Sequence, residues 1–397
     1  MQRAGRLIVW AWCCSAAMAA VTAEAETSAA RAAAQPNAAL SALGRALFFD
    51  VNLSWPRTQS CATCHDPERA YSDAGAAAAN AGASPSADAR FLGDRNAPST
   101  TYAALVPGLS RGPDGVYVGG LFHDGRAADL VEQATGPMLS PIEMQMPNVA
   151  AVMARVRENP AYVAAFEQLF GNRVFATADS AFLALRLAIA AYERTPEFVA
   201  FDSRYDRFLK GELKLTDREL RGRDLFFSAV TNCMQCHVLN AQRVVEHEPF
   251  TSFKHFNIGV PTNLALRQRN GLGLAAVDRG LGATPAARGR AQDGRFRVPS
   301  LRNVAVTGPY MHNGVFTSLV GTVAFYNQYL GRNVRHATNP ETQQPWGAPE
   351  VASGIELSRL RMGQPMDDER IALLVTFLRA LTDRRYENLL DAPRSEP

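Results

Sequence analysis

The pentapeptide Cys61-Ala62-Thr63-Cys64-His65 recurs as Cys233-Met234-Gln235-Cys236-His237. The C-x-x-C-H spacing is that of covalent haem attachment. Two thiols form thioethers with vinyl groups, and the adjoining imidazole falls under the iron as its proximal ligand. Competing readings are a zinc site or a thioredoxin-like redox pair. Zinc needs four ligands, usually with a second C-x-x-C close by, and neither stretch has one in its own half of the chain. Two copies about one domain length apart, in 397 residues, therefore imply two haem domains.

The N-terminus implies export. Residues 1–25 have the layout of a cleaved secretory signal. Arg3 and Arg6 precede an apolar run from Leu7 to Val21, and Ala23-Glu24-Ala25 offers a small-residue cleavage site, with Ala17-Met18-Ala19 an earlier one. No later stretch reaches membrane-spanning length, so no membrane anchor is expected. Cysteine use agrees: Cys13 and Cys14 leave with the signal, and the remaining four belong to the haem motifs. A disulfide-free mature protein in the periplasm is the expectation, since four idle thiols there would be a hazard. A formal net charge of +3 with no basic stripe argues against a nucleic-acid partner.

In chain order, 26–37 is expected to be a flexible lead-in, 38–205 the N-terminal haem domain and 206–397 the C-terminal one. Helical spacing runs through Ala38–Asp50, Pro147–Asn159, Ala161–Phe170 and Thr177–Arg194, which Pro196 ends. Thr216 with Glu219 three residues on predicts a capped helix over Asp217–Ala229, and another helix starts near Asp368. Each motif follows a helix with Phe-Phe near its end and a short turn. Gly75–Ala89, nearly all Ala, Gly and Ser, is expected to be a mobile surface loop. Gly271-Leu-Gly-Leu-Ala-Ala276 matches a dinucleotide fingerprint by letter only, because Arg267-Gln-Arg-Asn270 before it is no buried strand. Few segments alternate with period two, so the fold class is mainly α, with two cytochrome c-like domains.

An iron bound by one histidine keeps an open face, and what fills it separates electron transfer from peroxide chemistry. His123, His247, His255, His312 and His336 remain, besides Met and Tyr, and composition does not choose among them.

A resemblance does choose. The stretch from Arg297-Val-Pro-Ser-Leu-Arg-Asn to Gly308-Pro-Tyr-Met-His312-Asn-Gly resembles the signature of the bacterial di-haem cytochrome c peroxidase superfamily. So do Gln59–Pro67 around the first motif, Tyr102–Pro107, Phe201–Asp206 and Thr382–Tyr386. In that superfamily a Met beyond the matching His ligates the electron-transferring haem. The matching position here is Tyr326, and Tyr at that place marks the MauG-type branch, which matures methylamine dehydrogenase. Met favours Fe(II), whereas a phenolate favours Fe(III) and higher states.

The resemblance implies a di-haem peroxidase architecture with two covalently bound c-type haems. It makes the haem on His65 high-spin with its distal face open, with Glu143 as distal acid/base, Gln133 hydrogen-bonding peroxide or water and Pro137 shaping the pocket. It places the other haem between His237 and Tyr326. It also implies Ca²⁺ held by Asn96, Thr307 and Pro309, oxygen donors that suit this ion. The implied activity is oxidation of protein tryptophans with hydrogen peroxide, completing tryptophan tryptophylquinone in precursor methylamine dehydrogenase. A small c-type cytochrome or cupredoxin is an expected electron partner. Two departures bear on the substrate. The branch carries a Trp between the haems where this chain has His123, in Phe122-His123-Asp124-Gly125-Arg126, and a surface Trp before the second motif where it has Thr231-Asn232. Alternatives are a MauG-like enzyme modifying Trp of another protein, a cytochrome c peroxidase fed by a small cytochrome, and a non-catalytic electron carrier.

Overall fold

The computed structural model describes residues 37–73, 82–239, 246–331 and 333–391. The expected signal and nearly all of the lead-in lie outside these residues. Among the described residues the fold is mainly helical, with two short antiparallel strand pairs: Ser110–Arg111 with Tyr117–Val118, and His255–Phe256 with Phe296–Arg297. No described helix is long and apolar enough to cross a membrane.

Two hydrophobic cores follow one another along the chain, one built from Leu43 to Phe198 and the other from Tyr205 to Leu381. Each centres on a crossed helix pair. In the first, α1 (Ala38–Phe48) packs on α2 (Ala178–Tyr192); in the second, α3 (Asp217–Phe226) packs on α4 (Asp368–Arg379). The predicted capping box forms, with the Thr216 hydroxyl accepting from the Glu219 backbone N–H. Glycine makes both crossings possible. A Cβ on Gly44 would stand 1.8 Å from the Ala188 carbonyl oxygen, and one on Gly222 would stand 2.1 Å from that of Leu373. Four residues after each glycine a phenylalanine, Phe48 or Phe226, fills the core beneath the motif that follows.

The repeat extends beyond the helices. Tyr102 (φ 62) opens a 3₁₀ turn at Ala103–Leu105, and Asn303 (φ 61) opens one at Val304–Val306. These two residues also join the halves. Tyr102 Oη donates to Asp383 at 2.7 Å and Asn303 Nδ2 donates to the same carboxylate at 2.8 Å. Nearby, the buried Arg302 guanidinium donates to Asp206 at 2.9 Å and to the Glu248 carbonyl.

One expectation is corrected in part. Within the described part of Gly75–Ala89 the surface is only partial, because Ala83, Ser86 and Ala87 are buried while Pro85, Asp88 and Ala89 are exposed; residues 75–81 lie outside the described residues. Small side chains let this strip lie flat. Ala83 packs with Leu92 and Leu266, and Ala87 N donates to the Glu143 carbonyl at 2.8 Å. Residues 271–276 lack a strand-turn-helix context, as expected.

The glycine crossings predict an inverted substitution effect. Gly→Ala inside an exposed helix ordinarily stabilises by about 1 kcal/mol. Gly44→Ala and Gly222→Ala are each expected to destabilise by about 1–3 kcal/mol through overpacking. A lowered midpoint in thermal unfolding followed by circular dichroism checks this; a raised midpoint contradicts the crossing.

Candidate active site

Both motifs face one continuous cavity of about 880 Å³, within the range of cofactor sites. Its walls include Cys61, Cys64 and His65 from the first half and Cys233, Cys236 and His237 from the second. Cys61–Cys64 forms a single helical turn capped by Ser60, which sets both thiols toward the cavity side. The four cysteines are unbridged. Burial pushes the Cys61 and Cys64 thiols up to about 12 and Cys236 to about 11, so they stay protonated. Among the described residues no three His, Cys, Asp or Glu side chains gather into a metal-ion set.

The two histidines are held alike. His65 Nδ1 lies 3.2 Å from the Tyr71 carbonyl, and His237 Nδ1 lies 3.4 Å from that of Phe250. The Pro98 and Pro299 carbonyls stand as second acceptors. Tyr71 and Phe250 both have φ 54, a conformation rare for aromatic residues, which is a form of strain found at functional sites. Burial lowers both imidazoles, His237 to about 4. A neutral ring that gives its Nδ1–H to a carbonyl keeps an Nε2 lone pair for a metal. Haem fits this arrangement, and buried cations suit its carboxylates. Arg267 and Arg297 line the cavity, and each has a buried nitrogen without a partner, Nη1 and Nε respectively.

Gln133, Pro137 and Glu143 reach the cavity from one turn region. Gln133 ends a short helix capped by Asp129, and the Met144 N–H on the Pro137 carbonyl (3.1 Å) ties the two strands of the turn. Burial raises the Glu143 carboxyl, opposed by a hydrogen bond from Ser140. Tyr326 starts a 3₁₀ turn after the helix Leu319–Phe325 and lines the cavity near Cys233 and Cys236. Burial holds its phenol well above the usual range. A phenolate there would need an adjacent cation, which the iron of a haem held in this cavity would supply.

His123 sits between the halves. Its Nε2 lies 2.9 Å from the Asn96 carbonyl, and its own carbonyl accepts from Arg297 N at 2.8 Å. Burial lowers it to about 3, so the ring is neutral. Asn96 in turn donates from Nδ2 to the Pro309 carbonyl at 2.7 Å, and Thr307 lines the same cavity. Asn96 and Pro309 are thus neighbours joined through the amide N–H, and not by two oxygens turned to a common point.

Sequence reasoning missed the polar seam beside these residues. Arg95 bonds Asp124 at 2.7 Å and Asp278 at 2.6 Å, Arg267 bonds Glu350 at 2.9 Å, and His312 stacks on Phe296 at 3.6 Å. These partners are scattered along the chain, so no local pattern announces them.

The profile of the di-haem cytochrome c peroxidase family matches residues 38–214. The methylamine utilization protein MauG of Paracoccus denitrificans is 52% identical over 357 residues, spanning 90% of this chain and 92% of that one. The chain belongs to the di-haem cytochrome c peroxidase family. It is a haem-dependent oxidoreductase of the MauG type, with two c-type haems. Among solved structures, the diheme peroxidase BthA of Burkholderia thailandensis superposes with a TM-score of 0.78 at 34% identity, covering 91% of this chain and 90% of that one. A MauG-like protein associated with microbial copper homeostasis gives 0.64 at 29%, covering 91% and 93%.

Removing one pair of thiols separates the two attachment sites. Replacing Cys233 and Cys236 with alanine is expected to halve the covalently bound haem per chain, read by intact mass. Retention of two haems contradicts the assignment.

Proposed function

We propose that the chain is a periplasmic enzyme that uses hydrogen peroxide to oxidise tryptophans of precursor methylamine dehydrogenase, completing tryptophan tryptophylquinone. The observation that carries this reading is Tyr326 in the cavity wall beside the second pair of thiols. A thioether in its place would suit a relay of low-energy electrons; a phenolate suits an oxidised centre. The 52% identity to a methylamine utilization protein supports the same substrate. The domains divide at 205/206, His65 and His237 are the proximal ligands, and Tyr326 completes the second centre. The signal in residues 1–25 delivers the chain to the periplasm, and Ca²⁺ bound by Asn96, Thr307 and Pro309 braces the seam. A small c-type cytochrome or cupredoxin serves as electron partner.

The bound haems supply the redox chemistry, accepting oxidising equivalents from peroxide. The chain's residues supply the proton movement and the geometry. Glu143 takes the proton from the nearer peroxide oxygen and gives it to the leaving one, and its raised carboxyl lets it hold that proton in between. Gln133 hydrogen-bonds the bound peroxide, and Pro137 narrows the wall. His123, neutral and wedged between Asn96 and Arg297, lies on the short path between the halves.

A second reading keeps the chemistry and changes the protein substrate. Thr231 is buried, with Oγ1 donating to the Leu225 carbonyl at 2.5 Å, and offers no oxidisable side chain next to the second motif. The likeness to a MauG-like protein associated with copper homeostasis keeps tryptophans of another partner in play.

The test adds stoichiometric peroxide and precursor methylamine dehydrogenase to the diferric protein. Quinone absorbance is the expected product. Glu143→Gln is expected to slow its appearance by about 10²–10⁴-fold, and Tyr326→Met to abolish it with both haems retained. Fast peroxide turnover with reduced cytochrome c and no quinone overturns the proposal in favour of a peroxidase.

A further inference from the structure

The repeat that relates the two halves also shows where they differ. Gly44 packs against the Ala188 carbonyl and the Tyr192 Cβ, and Gly222 against the Leu373 carbonyl and the Phe377 Cβ. That register equates Ile189 with Leu374 and Glu193 with Leu378, and all four line the cavity. The first pair is apolar in both halves. The second sets a carboxyl against a leucine.

Glu193 is an unusual residue to find there. It is 3% exposed, and its Oε2 has no hydrogen-bond partner. The groups bearing on it are Arg194 on its own helix end and Cys61 on the motif helix. The Arg194 guanidinium turns back to the Ala190 carbonyl at 3.1 Å, and the Cys61 thiol becomes an uncharged thioether on attachment. A buried carboxylate without a hydrogen-bonded counter-ion is costly, so such a group keeps its proton. Burial accordingly raises it to about 8.

We propose that Glu193 is a proton-storing residue at the first motif's end of the cavity, protonated at rest and exchanging its proton as the charge of the bound haem changes, with no counterpart at the second motif's end. Reduction of peroxide to two waters takes two electrons and two protons. When the bound haems would give up those electrons, the added positive charge would favour ionisation of Glu193; its carboxyl O–H supplies one of the two protons and solvent supplies the other. When electrons return, Glu193 is reprotonated from solvent. The inference rests on haem occupancy at the first motif's end of the cavity and not on the identity of the organic substrate, so it stands for a peroxidase equally well.

Redox titration of each haem across pH in the holoenzyme tests it, without any protein substrate. Protonation favours the reduced form and the resting carboxyl keeps its proton up to about 8, so the first haem's potential is expected to be level below that pH and to fall as pH rises above it. Glu193→Gln, which keeps the shape, and Glu193→Leu, which copies the second motif's end, are both expected to flatten that slope and leave the second haem's titration unchanged. The redox-induced infrared difference spectrum should lose a protonated-carboxyl band in Glu193→Gln. Wild-type slope and an unchanged carboxyl band in Glu193→Gln overturn the proposal, whatever the fate of the leucine variant.

Discussion

Because Gly44 carries no side chain, α1 settles with its backbone against the Ala188 carbonyl, and Gly222 allows α3 the same approach to Leu373. Much of the arrangement depends on these two crossings. They fix how each closing helix lies over its motif, and hence which side chains it presents to the cavity: Ile189 and Glu193 in one half, Leu374 and Leu378 in the other. The motif helices then sit on a core filled by Phe48 or by Phe226 and Phe227. Tyr71 and Phe250, bent into the same left-handed conformation, turn their carbonyls to the histidine Nδ1 atoms. Packing therefore orients the imidazoles before any metal does so.

The two halves are joined mainly by polar contacts. Asp383 accepts from Tyr102 and Asn303, one from each half, and burial pushes its carboxyl up to about 6. Arg302, buried on Asp206 within the second half, reaches across to Ser203 Oγ at 3.2 Å and lies over the Tyr102 ring. Closer to the cavity, Arg95 bridges Asp124 and Asp278. Buried ion pairs add little net stability, because desolvation offsets their attraction, but breaking one leaves an uncompensated charge. Such a seam specifies a single docking of the halves. That suits a protein whose function depends on the distance between two redox centres.

The motifs, the helices and the doubled layout were legible because each is a local pattern. C-x-x-C-H needs five residues, the box at Thr216 and Glu219 needs four, and helical spacing needs three or four turns. Tyr326 and Glu143 became visible only through resemblance to a family, since neither spacing nor residue type marks them. Burial of Ala83, Ser86 and Ala87 left no sign because small residues suit flexible loops and tight backbone packing alike. The Arg95 and Arg267 pairs join residues far apart in the chain and leave no local trace. Glu193 reads in sequence as an ordinary charge at a helix end. Only the register of the two crossings shows that it stands where the other half has leucine.

The central claim is an asymmetric pair: an open first centre facing Glu143 and a second centre closed by Tyr326. Electron paramagnetic resonance of the diferric protein, with and without cyanide, tests this most directly. The account predicts one high-spin signal that cyanide converts and one low-spin signal that it leaves alone, with Tyr326→Met altering only the second. Two low-spin signals, both indifferent to cyanide, would contradict it.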